Sequence, residues 1–269
     1  MAWDYGRTPK ESIEFCNCCG RFKKLLDQPQ DVQYDRYGHP VTVWTCPSCG
    51  LIYLSPRMTA AASTEFYATG AYRDLILAHT GETSAMRQAA QWAYAESLFE
   101  RLAPHLAERV RVLDVGGSNG LVLKRFRDDR VDRGIGQWFY GELLDPAVDE
   151  ILSEGGTGHA NTTTAGTIEE ARLDLRPNDF DLVLCCQTVD HFTDIAEAIR
   201  LMAVTLRPSG HLWIDWVDCT GFYEVKIDHP FYLTSATMHR YVDAEFTTVV
   251  EGHWDGYHGG LLLERKADL

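Results

Sequence analysis

Apolar runs, glycine turns and amphipathic stretches alternate along the second half of the chain. The apolar segment Val110–Val115 leads into a glycine-rich turn, after which apolar residues recur at helical spacing, and residues 180–186 are again largely apolar. Such a run is typical of a strand in a parallel sheet that is covered on both faces. The alternation of strand and helix predicts a doubly wound α/β domain.

The same periodicities place the remaining elements. Strands are expected at 41–45, 51–54, 138–145, within 155–167, at 211–217, 246–250 and 260–264. Helices are expected at 84–106, 119–127, from Pro146 onward, at 195–206 and at 234–242. Residues 59–79 are expected to form a mixed connector and residues 218–233 a long loop.

Two Cys-x-x-Cys pairs stand near the N-terminus. Cys16 and Cys19 form the first pair, Cys46 and Cys49 form the second, and a glycine follows each pair. That glycine permits the tight turn that brings two sulfurs together, and four thiolates are the closed tetrahedral ligand set of a structural zinc ion. The spacing predicts a zinc ribbon with Cys18 outside the ligand set. Reduced cysteines packed as small apolar side chains are the alternative interpretation.

Charge is distributed unevenly along the 269 residues. The formal charge is −14, yet residues 1–60 are close to neutral, with seven basic and six acidic side chains. An acidic body disfavours a large phosphate-neutralising surface, so nucleic acid is not expected as the main partner. No apolar stretch reaches the roughly 18 residues of a membrane span, and the N-terminus lacks a signal-peptide pattern. A cytoplasmic protein without a membrane partner is therefore expected.

The glycine-rich turn after Val110–Val115 is the best candidate for a ligand-binding loop. It starts at Asp114 and contains Gly116, Gly117 and Gly120. Glycine lets a backbone approach a ligand closely, and the helix that follows directs its free N–H groups at whatever lies above the loop. Taken alone, such a turn also suits a dinucleotide.

An acidic side chain at the end of the next strand indicates a ribose in the ligand. A carboxylate only accepts hydrogen bonds and can receive them from both ribose hydroxyls. In dinucleotide folds, an acid about 20 residues after the loop has this role. Asp145, just before Pro146, has the expected position. Glu142 is the alternative, because predicted strand ends shift by a few residues.

Several further stretches, taken together, resemble one enzyme family. They are the ribbon exit at 49–57, Phe66-Tyr67 and Tyr72, residues 180–183, residues 189–191, and the turn at 206–210. With them the chain resembles the class I S-adenosylmethionine-dependent methyltransferases, in the branch whose N-terminal zinc ribbon accompanies the modification of sugars or natural-product intermediates. Two stretches depart from the pattern. In the loop, Ser118 takes the middle glycine's place and Gly117 stands one position earlier, and Val189-Asp190-His191 replaces Leu-Glu-His while keeping the acid and the histidine.

The resemblance implies a domain plan and a cofactor. A Rossmann-like, seven-stranded methyltransferase sheet is expected at 105–269, after a zinc-ribbon subdomain at 1–57 and a helical connector or lid at 58–104. The implied cofactor is S-adenosylmethionine, beside the structural Zn²⁺ predicted above. The implied cofactor-binding residues are Asp114, Gly116, Gly117, Gly120, Asp145, Thr167, Ile168 and Gln187.

Methyl transfer requires alignment of the reacting groups and removal of a proton from a hydroxyl or carbon acid. His191 is the predicted base, because histidine titrates near neutrality. Asp190 is expected to orient it or to hold the acceptor, and His229 to roof the acceptor site. Candidate pocket walls are Tyr67, Tyr72, Tyr223 and Tyr232.

The predicted function is methyl transfer, to oxygen or carbon, on a small molecule such as an activated sugar or natural-product intermediate. One alternative is an RNA-modifying methyltransferase whose ribbon binds nucleic acid, which the acidic body disfavours. A second is a non-catalytic module that binds the cofactor, which the change at Ser118 hints at. The ribbon is expected to be structural, or to act as a lid and homodimer contact beside the acceptor pocket.

Overall fold

A computed structural model describes residues 3–23, 32–153, 158–171, 175–220, 224–253 and 257–267. Tyr223, one of the predicted pocket walls, lies outside these ranges. None of the helices in the described ranges combines the length and the apolar character needed to cross a membrane.

The N-terminal part of the chain consists of short strands and turns. The strands are β1 (Lys10–Glu11), β2 (Val32–Tyr34), β3 (Pro40–Thr45), β4 (Ile52–Leu54) and β5 (Arg57–Met58). Both cysteine pairs lie in tight turns that the following glycine makes possible: Gly20 has φ +68° and Gly50 has φ +80°. The predicted strands on either side of the second pair are confirmed as β3 and β4.

Three helices follow, and two of them occupy the segment that was predicted as a mixed connector. They are α1 (Ala60–Ala68), α2 (Ala71–Thr80) and α3 (Ser84–Leu102). The side chains of Thr59 and Thr83 cap the backbones of α1 and α3. Gly70 and Gly81, both left-handed, flank α2. Local capping thus divides a stretch whose apolar pattern is weak.

The remaining elements alternate as predicted. The strands are β6 (Val110–Val115), β7 (Phe139–Asp145), β8 (Thr162–Ala165), β9 (Phe180–Cys185), β10 (Leu206–Val217), β11 (Phe231–Tyr232), β12 (Phe246–His253) and β13 (His258–Arg265). The helices are α4 (Leu121–Asp132), α5 (Val148–Ser153), α6 (Ile168–Ala171), α7 (Ile195–Thr205) and α8 (Ser235–Val242). The helix expected from Pro146 begins two residues later, at Val148.

Seven strands form the main sheet in the order β12-β13-β10-β9-β6-β7-β8. The five strands from β10 to β8 are parallel, and β13 and β12 are antiparallel additions at one edge. The predicted seven-stranded α/β sheet is confirmed. Strand order reverses between β6 and β9, and in open α/β sheets ligands bind beside such a switch point, at the carboxyl ends of the strands.

Helices cover both faces of this sheet. Leu182 and Leu184 of β9 pack with α3 and α4, whereas Val183 and Cys185 pack with α7 and α8. The strand is buried on both faces because its side chains alternate between these two cores. This packing leaves the carboxyl end of the sheet as the place where loops and the helices α1–α3 meet.

The segment predicted as a long loop, 218–233, contains a short strand that joins the ribbon. β11 pairs with β4, so the smaller sheet has the order β11-β4-β3-β2. Leu54 also donates its backbone N–H to Pro230. The ribbon therefore pairs with the loop that carries His229.

Candidate functional site

A cavity of about 510 Å³ lies at the carboxyl ends of β6, β7 and β9. Loops that follow the strands line one side of it, and α1, α2 and α3 close the other. Six of the predicted site residues line the cavity directly: Gly116, Asp145, Thr167, Ile168, Gln187 and His191.

The glycine loop has no space for side chains at two of its positions. A Cβ on Gly116 would lie 2.4 Å from the Thr188 side chain. A Cβ on Gly117 would lie 2.3 Å from the Asp114 carboxylate and 2.7 Å from Leu143. Ser118 takes the left-handed conformation with φ +50°, which a small side chain tolerates. The loop therefore lies tightly against the strand ends and keeps the cavity open above it.

Asp114 is fully buried beneath this loop. Neither of its carboxylate oxygens has a hydrogen-bond partner among the described residues. Burial, followed by the charge of Asp145, raises the pKa of Asp114 to about 8. A buried carboxyl group without a donor is costly, and Asp114 lies under the loop and not among the residues that line the cavity.

Asp145 and Glu142 are clearly separated by the structure. Asp145 lines the cavity and accepts the backbone N–H groups of Ser118 and Ala147, each at 2.8 Å. Burial raises the pKa of Asp145, and these hydrogen bonds oppose that rise. Glu142 lies outside the cavity and pairs with Arg176 at 2.7 Å. Of the two candidate acids, Asp145 is therefore the one that lines the cavity.

Gln187 lines the cavity and has an unusual backbone conformation. Its φ is +50°, and its backbone N–H donates to Asp215 at 2.6 Å. Asp215 also accepts the Tyr94 hydroxyl at 2.9 Å, and burial raises the pKa of Asp215 to about 7. Tyr94 on α3 is thereby tied to the sheet beneath the cavity.

His191 lies at the far end of the cavity, in a short 3-10 helix after β9. Its Nδ1 is 3.0 Å from the carbonyl oxygen of Asp228 and 2.7 Å from the Tyr67 hydroxyl. Both contacts are hydrogen bonds only in the tautomer with the proton on Nδ1, because the carbonyl can only accept and the hydroxyl oxygen can accept as well. That leaves a lone pair on Nε2, which has no hydrogen-bond partner among the described residues. Burial and the neighbouring His229 lower the pKa of His191, which keeps the ring neutral.

Asp190 does not orient His191, contrary to one of the predicted roles. Its carboxylate instead lies 2.9 Å from Nδ1 of His229. Burial alone would raise the pKa of Asp190, but His229 pulls it well below its usual range. Side chains of successive residues in the tight 3-10 turn point in different directions. The partners that position His191 are the Tyr67 hydroxyl and the Asp228 carbonyl.

His229 lies behind His191 instead of roofing the acceptor space. The two rings are T-shaped, with centroids 4.5 Å apart. His229 and Asp190 line a second cavity of about 340 Å³, together with Tyr232, Lys226 and Tyr257. The paired histidines thus separate this second cavity from the larger one.

Four cysteine sulfurs meet in the ribbon as their spacing predicted. Each of Cys16, Cys19, Cys46 and Cys49 offers a sulfur within 4.8 Å of the others. Two Sγ–Sγ distances are 3.5 Å and 3.7 Å, and none of the four is in a disulfide. Tetrahedral zinc with bonds of about 2.3 Å separates its sulfurs by about 3.8 Å. The cluster fits a zinc ion, and Cys18 lies outside it.

A second group of metal-binding residue types surrounds Asp228. Ligand atoms of His191, Asp228 and His229 lie within 4.8 Å of one another. However, Nδ1 of His191 is engaged by the Asp228 carbonyl and the Tyr67 hydroxyl, and Nδ1 of His229 by Asp190. These contacts leave each ring one nitrogen, Nε2, for a proton or a ligand.

Several cavity residues were not singled out from the sequence. They are Arg87, Gln91 and Tyr94 of helix α3, and the hydrogen bond of Tyr67 to His191 was not predicted either. Tyr67 and Tyr72 had been candidates for pocket walls, and both line the cavity. No local signal identifies the α3 residues, because their partners lie up to 121 residues away in the sequence.

The sequence matches a family model described as a methyltransferase domain over residues 86–244, more than half of the chain. The chain therefore belongs to the methyltransferase-domain family and is an S-adenosylmethionine-dependent methyltransferase. No match was found among proteins with curated descriptions.

Solved structures share this fold at low sequence identity. The 1,6-didemethyltoxoflavin N1-methyltransferase of Burkholderia thailandensis, solved with 1,6-didemethyltoxoflavin and S-adenosylhomocysteine, is 18% identical with a TM-score of 0.54, over 90% of this chain and 100% of its own. A SAM-dependent methyltransferase from Leishmania major is 17% identical with a TM-score of 0.56, over 77% and 82% of the two chains. An O-methyltransferase family protein from Burkholderia thailandensis is 14% identical with a TM-score of 0.52, over 73% and 64%.

Proposed function

We propose that the protein transfers a methyl group to a small-molecule acceptor that binds between Tyr67, Tyr72 and His191. The observation that carries this proposal is the position of His191. Its ring lines the same cavity as the glycine loop, and its Nε2 holds a lone pair without a partner among the described residues. A general base thus lies beside the space that the cofactor-binding residues enclose.

The residues at the strand ends would hold the cofactor. Asp114 would bind its ammonium group, the backbone at Gly116 and Gly117 would lie along its methionine part, and Asp145 would accept from its ribose. Thr167 and Ile168 would contact its adenine, and Gln187 would lie near its centre. When bound, the cofactor supplies a methyl group on an electrophilic sulfonium.

Removal of the acceptor's proton falls to His191. Its neutral Nε2 takes the proton from a hydroxyl or carbon acid, and the imidazolium that forms keeps its Nδ1 hydrogen bond to the Asp228 carbonyl. The carboxylate of Asp228 is buried, with its Oδ2 3.9 Å from Nδ1 of His191, and stabilises that positive charge. Behind the ring, His229 pairs with Asp190 and packs edge-on against His191.

The acceptor class follows from the walls of this space. Tyrosine and histidine side chains combine apolar area with hydrogen-bonding tips, which suits a sugar or a polar aromatic compound. The bound 1,6-didemethyltoxoflavin in the Burkholderia thailandensis structure supports a small-molecule acceptor. We therefore keep an activated sugar or natural-product intermediate as the acceptor, methylated on oxygen or carbon.

The ribbon is proposed to hold one structural zinc ion through its four clustered cysteines. Its first turn contacts the main domain through Asn17, which donates to Asp194 at 2.8 Å and accepts from Tyr241 at 3.0 Å. Because β11 pairs with β4, the ribbon would also stabilise the loop that carries His229. The subdomain limits at 57 and 104, a homodimer and a cytoplasmic location remain predictions.

A methylation assay with a His191→Gln variant tests the proposal. Purified enzyme, radiolabelled S-adenosylmethionine and a panel of nucleotide sugars and polar aromatic compounds should give at least one methylated product. In the variant, kcat on that acceptor should fall about 10²- to 10⁴-fold while S-adenosylhomocysteine binding stays unchanged. A variant that keeps its kcat would remove His191 from the chemistry.

A further inference from the structure

Arg87 on α3 is a charged side chain of the main cavity that the proposed chemistry does not use. It belongs to the first turns of the helix and lines the cavity together with Tyr72 and Gln91. Its side chain is about four-fifths buried, with 20% of its surface exposed. A guanidinium group in this position offers five N–H donors to whatever enters the cavity.

The Arg87 guanidinium lacks a good hydrogen-bond acceptor for its buried Nε–H group among the described residues. The Nε atom is buried without a hydrogen-bond partner, and within the described part of the chain its ion-pair partner is Glu82, with Nε and Oε2 3.6 Å apart. That separation is too long for a hydrogen bond. Burying a charged donor without an acceptor is costly, so a ligand acceptor would relieve an existing deficit.

Two neighbours of Arg87 connect it to other parts of the cavity lining. Gln91, one helical turn further along α3, accepts from Asn119 of the glycine loop at 2.9 Å. The charge of Arg87 also acts on Tyr72, whose ring centroid is 6.1 Å from that of His191. Arg87 therefore lines the same cavity as the glycine loop and His191.

The negative charge of the chain makes a local cation favourable for binding an anionic ligand. At −14 the protein repels carboxylates and phosphates, and Glu82, Asp145, Glu169 and Glu170 add negative charge to the cavity lining. Arg73, the other arginine in the lining, lies close enough to Asp145 to lower its pKa. Arg87, by contrast, faces Glu82 at 3.6 Å without a hydrogen bond.

We propose that Arg87 is an anion-binding residue that receives a carboxylate or phosphate group of a ligand through a two-point hydrogen bond. The planar fork of arginine matches both anions, which lysine does not. The anion has two sources: the methionine carboxylate of the cofactor or an acidic group of the acceptor. The choice between them rests on the proposed methyl transfer, whereas the anion site itself does not.

Calorimetric titration of full-length protein with two ligands tests the cofactor source. S-adenosylhomocysteine carries the carboxylate, and 5′-methylthioadenosine keeps the nucleoside and thioether without it. Arg87→Met should weaken S-adenosylhomocysteine about tenfold or more and leave methylthioadenosine within about twofold. Arg87→Lys should recover part of the loss. Glu82→Gln, which removes the competing carboxylate, should tighten S-adenosylhomocysteine about two- to fivefold.

Inorganic phosphate tests the acceptor source. If Arg87→Met leaves S-adenosylhomocysteine affinity unchanged, phosphate should raise the melting temperature of the wild-type complex but not of the variant complex. The proposal would be overturned if an Arg87→Met protein that folds and melts like wild type kept both its affinity for S-adenosylhomocysteine and its stabilisation by phosphate. Failure of wild-type protein to bind S-adenosylhomocysteine would sink the proposed function alone, because phosphate can then be titrated against the ligand-free protein and judged in the same way.

Discussion

His191 shows how the protonation state of one side chain can be set by backbone geometry. The Asp228 carbonyl accepts from Nδ1 and so leaves the lone pair on Nε2, on the ring that lines the cavity. The sequence could nominate this histidine, because it follows a buried strand. Its partners were beyond local reasoning, since Tyr67 precedes it by 124 residues and Asp228 follows it by 37.

The lowered pKa of His191 predicts an extended acid limb in the pH profile. The base works when neutral, that is, above its pKa, and burial and His229 shift that pKa below the ordinary value of about 6.5. We expect kcat/KM to hold its plateau down to pH values below about 6.5 and then fall. A limb that already falls above pH 7 and shifts in His191→Gln would contradict this assignment.

The lowered pKa of His191 also makes the free energy of unfolding depend on pH. Since the unfolded chain binds the His191 proton more readily than the folded chain does, its contribution is present above about pH 6.5 and is lost as the pH falls. The lowered pKa of Asp190 adds a further loss at more acidic pH, below its unfolded value of about 3.9. Both groups predict weaker folding in acid.

A single methyl group added at Gly116 is expected to weaken cofactor binding strongly. A Cβ there would lie 2.4 Å from Thr188, and the residue also has φ +72°. We expect Gly116→Ala to weaken S-adenosylhomocysteine at least about tenfold and to lower the melting temperature, because both strain and a clash are introduced.

Gly252→Ala is the matched control for this change. Gly252 has no neighbour within 4 Å of its added Cβ and no positive φ. It should stay within about 0.5 kcal/mol of wild-type stability and bind the ligand normally. Equal losses in both variants would show that the tight fit of the loop is not what matters.

At the scale of elements, local sequence patterns located most strands and helices but not their partners. The apolar run of β9 and the Thr234 cap of α8 were readable because period and capping are local signals. The division of 59–79 into α1 and α2 was missed because its apolar periodicity is weak. The pairing of β11 with β4 joins residues almost 180 positions apart, which no local pattern encodes.

We expect the folding of the ribbon to depend on a bound metal ion, which cysteine variants can test. Cys46→Ser with Cys49→Ser should remove about one equivalent of zinc per chain, measured by plasma mass spectrometry, and disorder the ribbon, because such ribbons draw folding free energy from the metal. Cys18→Ser should keep the zinc, since Cys18 lies outside the cluster. Wild-type protein that purifies without zinc, or a double variant that retains it, would contradict this.

At the scale of the whole molecule, three features converge on one cavity. The strand-order reversal opens the sheet at its carboxyl edge, α1–α3 cover that opening, and the ribbon holds the loop behind His191. The sequence could not decide between Asp145 and Glu142, because that depends on where β7 ends. The structure separates them, since Asp145 faces the cavity and Glu142 bonds Arg176.

The most direct test of the account is calorimetric titration of the full-length protein with S-adenosylhomocysteine, with NAD⁺ as the competing ligand for a glycine loop of this type. We predict one S-adenosylhomocysteine site per chain, with binding weakened by Gly116→Ala, and no binding of NAD⁺. A folded, monodisperse protein that binds no S-adenosylhomocysteine, or that binds NAD⁺ instead, would contradict the central claim.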